Sequence, residues 1–424
     1  MEKYSSYKDS GVKWLGEIPS HWETRKMKFS FSERSVKGFP SLPLLAATQN
    51  HGVIRKEQYE NRTVEATKSL DTLKLVEEGD FVISLRSFQG GIELCHDRGI
   101  ISPAYTILRP THIQANYFKH LGKSPVYISL LKSMVTGIRE GQNIDYGKLR
   151  EELLPIPTIA EQNAIAAYLD SVTSQIDTAI SQQQKMIDLL NERKQIIINN
   201  AVTKGLDPNV KMKDSGVDWI GEIPEGWEVR KLKFLLKNKL MYGANESAES
   251  ENESYPRYIR ITDIDEDGNL RPDTFRSLSP SKAEPYLLKK GDLLFARSGA
   301  TAGKTYLFKE DIKACFAGYL IKAGLNELLM PEYLNYYTKS GIYDNWKNGI
   351  FIQATIPNIG ADKYSNMQIT LPSKKEQNKI IKYLDVEVDK VNAVVNGYQK
   401  QITLLQERKQ IIINDVVTGK VKVS

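Results

Sequence analysis

The sequence predicts an α+β chain of two variable domains separated by two long antiparallel helices, which form an intramolecular coiled coil with an internal pseudo-two-fold repeat. Three observations predict it. Residues 189–203 recur as 404–418 with twelve of fifteen positions identical. Residues 8–29 recur as 213–234 with sixteen of twenty-two identical. The stretches between these repeats, about 30–155 and 235–370, have diverged almost entirely.

The predicted order is a lead-in with variable domain 1 (1–157), a central long helix (158–204), a second lead-in with variable domain 2 (205–372), and a C-terminal long helix (373–424). Both lead-ins carry Asp-Ser-Gly-Val-x-Trp-(Leu/Ile)-Gly-Glu-Ile-Pro-x-x-Trp-Glu, so Trp14 and Trp22 answer Trp219 and Trp227. Such tryptophans could line a ligand cage, but anchoring an extended segment to a core is their commoner use. Each variable domain shows a glycine turn followed by an apolar run ending in Arg-Ser. These are 79–87 (Gly-Asp-Phe-Val-Ile-Ser-Leu-Arg-Ser) and 291–298 (Gly-Asp-Leu-Leu-Phe-Ala-Arg-Ser), and each reads as a buried strand. A second echo, 44–52 against 258–268, reads as a strand into a polar turn. Short helices are expected at 113–131 and 331–343.

The helical segments space their apolar residues alternately by three and four, the coiled-coil period. Leu169, Ile176, Ile180, Ile187, Leu190 and Ile197 form the first stripe, interrupted at Thr173 and Gln183. Leu384, Val388, Val391, Val395, Tyr398, Ile402, Leu405 and Ile412 form the second. One such copy alone would read as an ordinary amphipathic core helix; two near-identical ones favour an intramolecular pair. About 45 residues at 1.5 Å each give a rod of roughly 65–70 Å. Variable domain 2 leaves the first helix and rejoins the second, and domain termini usually lie close together. That makes the two helices antiparallel, and returns residues 419–421 to the first lead-in.

Composition narrows the function classes. The 424 residues carry a formal net charge of +6, which permits an anionic partner without demanding one. Two cysteines indicate neither a disulfide framework nor a zinc cluster, and a reducing cytosol fits best. No secretory leader and no apolar run of membrane-spanning length is visible, so a cytoplasmic location without membrane insertion is expected. Residues 299–305 (Gly-Ala-Thr-Ala-Gly-Lys-Thr) resemble a phosphate-binding loop but have three residues where four are needed before Gly-Lys. The five histidines lack metal-ligand spacing, and no Gly-x-Gly-x-x-Gly follows a strand. The sequence therefore predicts no catalytic and no metal site.

What remains is a set of basic and amide residues at predicted strand ends, the types that hold phosphates and read base edges. In the first domain these are Thr48, Gln49, Asn50, Arg55, Arg86, Ser87, Gln89, Gln142 and Asn143. In the second they are Arg260, Thr262, Asp263, Arg297, Ser298, Thr301, Lys304 and Gln353. Singly, each would read as a solvated loop residue; their parallel placement in both domains lifts the group above that.

The chain resembles the specificity subunits of type I restriction-modification systems over nearly its whole length. The resemblance rests on Gly-Glu-Ile-Pro-x-x-Trp at Gly16 and Gly221, and on Pro-x-x-x-Glu-Gln at 157–162 and 372–377. It rests also on the two Glu-Arg-Lys-Gln blocks and on Arg297-Ser298-Gly299 with Gly303-Lys304, a pattern the first domain leaves after Arg86-Ser87. It implies that the variable domains are target recognition domains, each reading one half of an asymmetric bipartite site on double-stranded DNA. It further implies that the helices set the half-site spacing and dock two modification (methyltransferase) subunits, with restriction/translocase subunits joining. Nothing would then bind directly to this non-catalytic chain as cofactor, and S-adenosylmethionine, ATP and Mg would belong to partners. The rival is a coiled-coil scaffold that bridges proteins without touching DNA. A seam needs only its apolar positions, so identity at Glu192, Arg193, Lys194 and Gln195 against Glu407, Arg408, Lys409 and Gln410 predicts a polar face that pairs internally or docks one partner twice.

Overall fold

Two helices dominate the chain, Ile159–Lys204 with 46 residues and Lys374–Val417 with 44; the first is within a residue of the expected 158–204, and the second starts one residue after 373 but ends at Val417, short of 424. The computed structural model describes residues 2–49, 51–59, 70–136, 143–247, 249–265, 268–351 and 357–423. These fall into two compact units, one of residues 1–184 with 399–424 and the other of residues 185–398. The division cuts through the interior of both long helices.

In the first unit a four-stranded antiparallel sheet runs in the order Phe31–Arg34, Thr106–Pro110, Phe81–Ile83, Glu93–Leu94. Phe81, Val82 and Ile83 are all buried, as an uninterrupted apolar run requires. One face of the sheet receives the helices Ala115–Leu121 and Pro125–Ser133, whose Phe118 meets Phe31 and Phe81 edge-on at 4.6 and 4.9 Å between ring centres. The other carries the hairpin Leu45–Thr48/Gly52–Arg55 over Val53, Val76 and Val82.

The second unit repeats the plan with different residues. Its sheet order is Met241–Tyr242, Leu320–Ala323, Leu293–Ala296, Thr305–Leu307, and the helices Pro331–Tyr337 and Gly341–Phe351 follow. The shared Gly-Asp before the central strand has a common use. Gly79 and Gly291 adopt positive φ (84° and 92°), a region glycine enters without a Cβ clash. Asp80 and Asp292 then accept the backbone N–H groups of Glu77 and Lys289, at 3.0 and 2.8 Å. The second echo diverges. Leu45–Thr48 pairs antiparallel with Gly52–Arg55, Gly52 taking φ 74°, whereas Arg257–Ile259 pairs in parallel with Ala314–Phe316 and runs into a 3-10 turn at Ile261–Asp263. A parallel pair needs a long crossover, and residues 260–313 supply it.

The sequence repeats that frame each unit are bonded to the helix ends. Thr158 and Glu161 form a capping box: Thr158 N–H donates to the Glu161 carboxylate at 3.2 Å and Glu161 N–H to Thr158 Oγ1 at 3.3 Å. The same carboxylate accepts Trp22 Nε1–H at 3.2 Å. Gln162, buried, accepts Gln114 N–H at 2.8 Å and donates to the Pro157 carbonyl at 2.9 Å. In the second unit Trp227 donates to Glu376 at 3.2 Å, while Gln377 accepts Met330 N–H and donates to the Pro372 and Leu328 carbonyls. The indoles also receive the opposite helix ends. A Cβ on Gly419 would lie 3.0 Å from Trp22, and one on Gly205 would lie 3.2 Å from Trp227. Beyond Gly419 the chain pairs with its own beginning, Lys422 N–H donating to the Glu2 carbonyl at 2.9 Å. Trp22 and Trp227 are thus anchors of the lead-ins, as expected from their type.

Both predicted apolar stripes are buried or half-buried throughout. In the first unit Lys409 reaches Asp177 at 2.7 Å and Gln183 reaches Gln401 at 3.1 Å, so the two helical segments there run in opposite directions. Gln183, a break in the stripe, is thereby paired, and Thr173 bonds back to the Leu169 carbonyl.

Replacing Gln377 by Leu removes a buried amide that serves three backbone groups. The loss expected is about 1–3 kcal/mol, read as a lower urea midpoint at an unchanged m-value. A midpoint within error of the wild type would show that Gln377 does not hold the helix start.

Candidate nucleic-acid interface

In the first unit the turn after Leu45–Thr48 and the short helix Ser87–Gly90 after Phe81–Ile83 come side by side. Gln49 and Gln89 are exposed there and bonded, Gln49 Nε2–H donating to Gln89 Oε1 at 3.3 Å. Arg86 is exposed beside them, and none of the ion pairs among the described residues involves it. Thr48 and Ser87 are buried and turned inward. Thr48 Oγ1 donates to the Gly52 carbonyl and accepts His51 N–H, while Ser87 Oγ accepts Ser84 N–H. Both shape turns and do not reach outward. Arg55 pairs with Asp97 at 3.5 Å on the surface. Asn143 is exposed in the two-residue strand Asn143–Ile144, away from Gln49 in sequence and paired to Val135–Thr136. Asn50 and Gln142 lie outside the described residues.

Beneath Gln49 sits a residue the sequence did not single out. Lys123 donates to the Gln49 carbonyl at 2.7 Å and contacts the Glu93 carboxylate at 2.7 Å. Glu93 is only 2% exposed. Burial pushes its carboxyl up to about 7, against the lowering pull of the Lys123 ammonium. Lys123 is 74 residues from Gln49, so no local pattern could have linked them.

In the second unit Arg297 closes the strand Leu293–Ala296. Its guanidinium lies over the Tyr242 ring at 5.0 Å, and its buried Nε has no hydrogen-bond partner. Stacking on tyrosine holds an arginine in place while leaving its N–H fork free for planar acceptors. Tyr319, 68% exposed, contributes the carbonyl that takes Arg297 N–H. Neither tyrosine belongs to a repeated motif, so repeat analysis passes over both. Ser298 bridges to Asn358, and Thr301 lies half-buried in the 3-10 turn Gly299–Thr301. Lys304 donates to the Ile264 carbonyl at 3.2 Å and so ties the loop down. Arg260 and Asp263 satisfy each other, with Arg260 Nη2 2.6 Å from the fully buried carboxylate; Thr262 between them is exposed. Gln353 lies outside the described residues. The same unit has a groove of about 470 Å³ lined by Lys233, Lys237 and Lys239 with Asp362 opposite, a cation-rich wall suited to anions.

The repeated helix blocks share one pattern of exposure. Lys194 is used within its unit, donating to Asn392 at 3.0 Å, and Lys409 does the same with Asp177. Glu192, Arg193, Gln195 and their counterparts Glu407, Arg408 and Gln410 are exposed. Leu189 and Ile196, seven residues apart and so on one helix face, flank Arg193; Leu404 and Ile411 flank Arg408. These four apolar side chains are 53–62% exposed. The two lysines thus bond within their units, and the rest of each block faces outward. Among the described residues no group of His, Cys, Asp or Glu could hold a metal, and no helix is long and apolar enough to cross a membrane. Cys95 and Cys315 are buried, and burial pushes both thiols up to about 12, which keeps them unreactive.

Two units with one strand order, carrying different loops at equivalent strand ends, define a duplicated α+β fold. The chain is similar to the specificity subunits of type I restriction-modification systems. The family model described as "Type I restriction modification DNA specificity domain" matches residues 224–404. Among curated relatives, the type I restriction enzyme EcoBI specificity subunit of Escherichia coli is 24% identical over 66% of this chain and 59% of its own length. The putative type I restriction enzyme MjaX specificity subunit of Methanocaldococcus jannaschii is 25% identical over 98% of both chains. The chain thus spans under two thirds of the first of these relatives and nearly all of the second. The fold matches that of a solved chain concerned with complex assembly and conformational transition of the type I R-M system, with a TM-score of 0.71, 16% identity, and 95% and 99% coverage.

Glu93 gives a pH signature. Its carboxyl sits above the ordinary value when folded, so the folded state binds more protons than the unfolded one. Stability relative to Glu93→Gln should fall as pH rises from about 4.5 to about 7 and level off above that. Urea midpoints at pH 5 and pH 8 test this; a difference independent of pH would contradict it.

Proposed function

We propose that the chain is the DNA-specificity subunit of a type I restriction-modification complex, each unit reading one half of an asymmetric bipartite site. The observation that carries the reading is the duplicated frame: one strand order and one set of helix-end bonds, bearing unlike loops at the same strand ends. A common frame with unlike loops suits one operation performed on two different sequences. Gln49, Gln89 and Arg86 in the first unit, and Arg297 in the second, are the groups best suited to base edges. The lysine-lined groove suits phosphates. A protein-only scaffold gives no reason for these free amide and guanidinium groups.

In this reading the variable domains are residues 1–157 and 205–372, and 158–204 and 373–424 form an antiparallel coiled coil that fixes half-site spacing across a pseudo-two-fold axis. The face of Leu189, Arg193 and Ile196 and its twin of Leu404, Arg408 and Ile411 dock two modification subunits. The chain contributes recognition and no catalysis, in the cytoplasm. S-adenosylmethionine, ATP and Mg are carried by the modification and restriction/translocase partners.

Three outcomes are expected. With its modification subunit the chain should bind a cognate duplex about a thousandfold or more weaker when salt rises from roughly 50 to 200 mM, as read by fluorescence anisotropy; no binding at low salt would favour the scaffold. Removing one heptad from each long helix in matched positions should change the unread spacer in the methylation motif and keep both half-sites; altered half-sites would refute the ruler role. Charge reversal at Arg193 and Arg408 should weaken complex assembly roughly tenfold, by native mass spectrometry, before it alters the sequence read.

A further inference from the structure

The two exposed glutamines of the first unit are built as a pair. A hydrogen bond between two terminal amides consumes one amino group and one carbonyl oxygen. Gln49 donating to Gln89 leaves Gln49 Oε1 as a free acceptor and Gln89 Nε2 as a free donor. Turning both amides exchanges these roles and still leaves one acceptor and one donor, on opposite residues. In the major groove guanine offers two acceptors, cytosine a donor, and thymine an acceptor beside a methyl group. Adenine alone presents an acceptor, N7, beside a donor, the N6 amino group.

The pair is held from below. Lys123 fixes the Gln49 carbonyl at 2.7 Å and is itself fixed by buried Glu93. Gly91 locks the short helix that carries Gln89 to the turn preceding Lys123: its φ is 90°, and a Cβ there would lie 2.3 Å from the Gly122 carbonyl oxygen. Gly90 forms the floor under Gln49, where a Cβ would stand 2.9 Å from Gln49 Cγ. Two exposed side chains that follow two different strands are thus set side by side on backbone held from below.

We propose that Gln49 and Gln89 act as one reading unit for an adenine in the half-site contacted by the first variable domain, with Lys123 and Gly90 as positioning residues. The inference rests on the DNA-specificity reading above. It assigns a base to a pair of residues, which that reading leaves open.

The test uses the full chain with its modification subunit. Methylome sequencing of cells carrying the wild-type complex gives the bipartite motif; Gln49→Ala and Gln89→Ala are then compared. Each should relax the same single position, an adenine, losing roughly 5- to 150-fold in discrimination, and the double variant should lose little more than either alone. Gly90→Ala, which removes no hydrogen-bonding group, should relax that position too and leave the other half-site intact. With unaltered protein, 7-deazaadenine at that position should weaken duplex binding by a similar factor. A wild-type motif unchanged in both Gln variants, or relaxed at a base other than adenine, overturns the inference alone. No bipartite motif from the wild-type complex overturns the specificity reading and the inference with it.

Discussion

Everything in this chain hangs on the bond from a buried indole to a glutamate in the first turn of a long helix. Trp22 to Glu161 and Trp227 to Glu376 are each 3.2 Å. Each joins three things that sequence distance keeps apart: a lead-in, the start of one helix, and the glycine that ends the other. The carboxylate caps its own helix and accepts the indole with the same group, so it favours the helix start and the docking together. The neighbouring glutamine then uses its whole amide on backbone groups that would otherwise be buried without partners. Polar residues repeat here because their hydrogen bonds require them at those positions, which apolar packing alone would not demand.

This division of labour explains which parts of the fold the sequence discloses. The long helices were legible from period and repeat, and their starts from the Pro-x-x-x-Glu-Gln motifs at 157–162 and 372–377. The central strand of each sheet was legible because a Gly-Asp turn followed by an apolar run has few other uses. Pairings between strands were not. The antiparallel hairpin at residues 45–55 and the parallel pair of Arg257–Ile259 with Ala314–Phe316 begin from similar local patterns. What separates them is a partner more than fifty residues away in the second case.

The candidate surface was legible in kind more than in detail. Residue type selected Gln49, Gln89, Arg86 and Arg297, all with free hydrogen-bonding capacity. Type also selected Thr48, Ser87, Asp263 and Arg260, whose bonding groups are satisfied inside the unit. A polar side chain at a strand end serves a turn as readily as a ligand, and only contacts distinguish the two. The residues that hold the readers in place, Lys123, Gly90 and Tyr242, come from segments where nothing local signals the role.

The boundary between the two units crosses the interior of both long helices, and this bears on how the chain unfolds. Melting one unit alone would leave two fresh helix ends in mid-sequence, each with uncapped backbone groups. The cost of such a frayed intermediate links the stabilities of the two units, so the duplicated chain should denature as a single cooperative body.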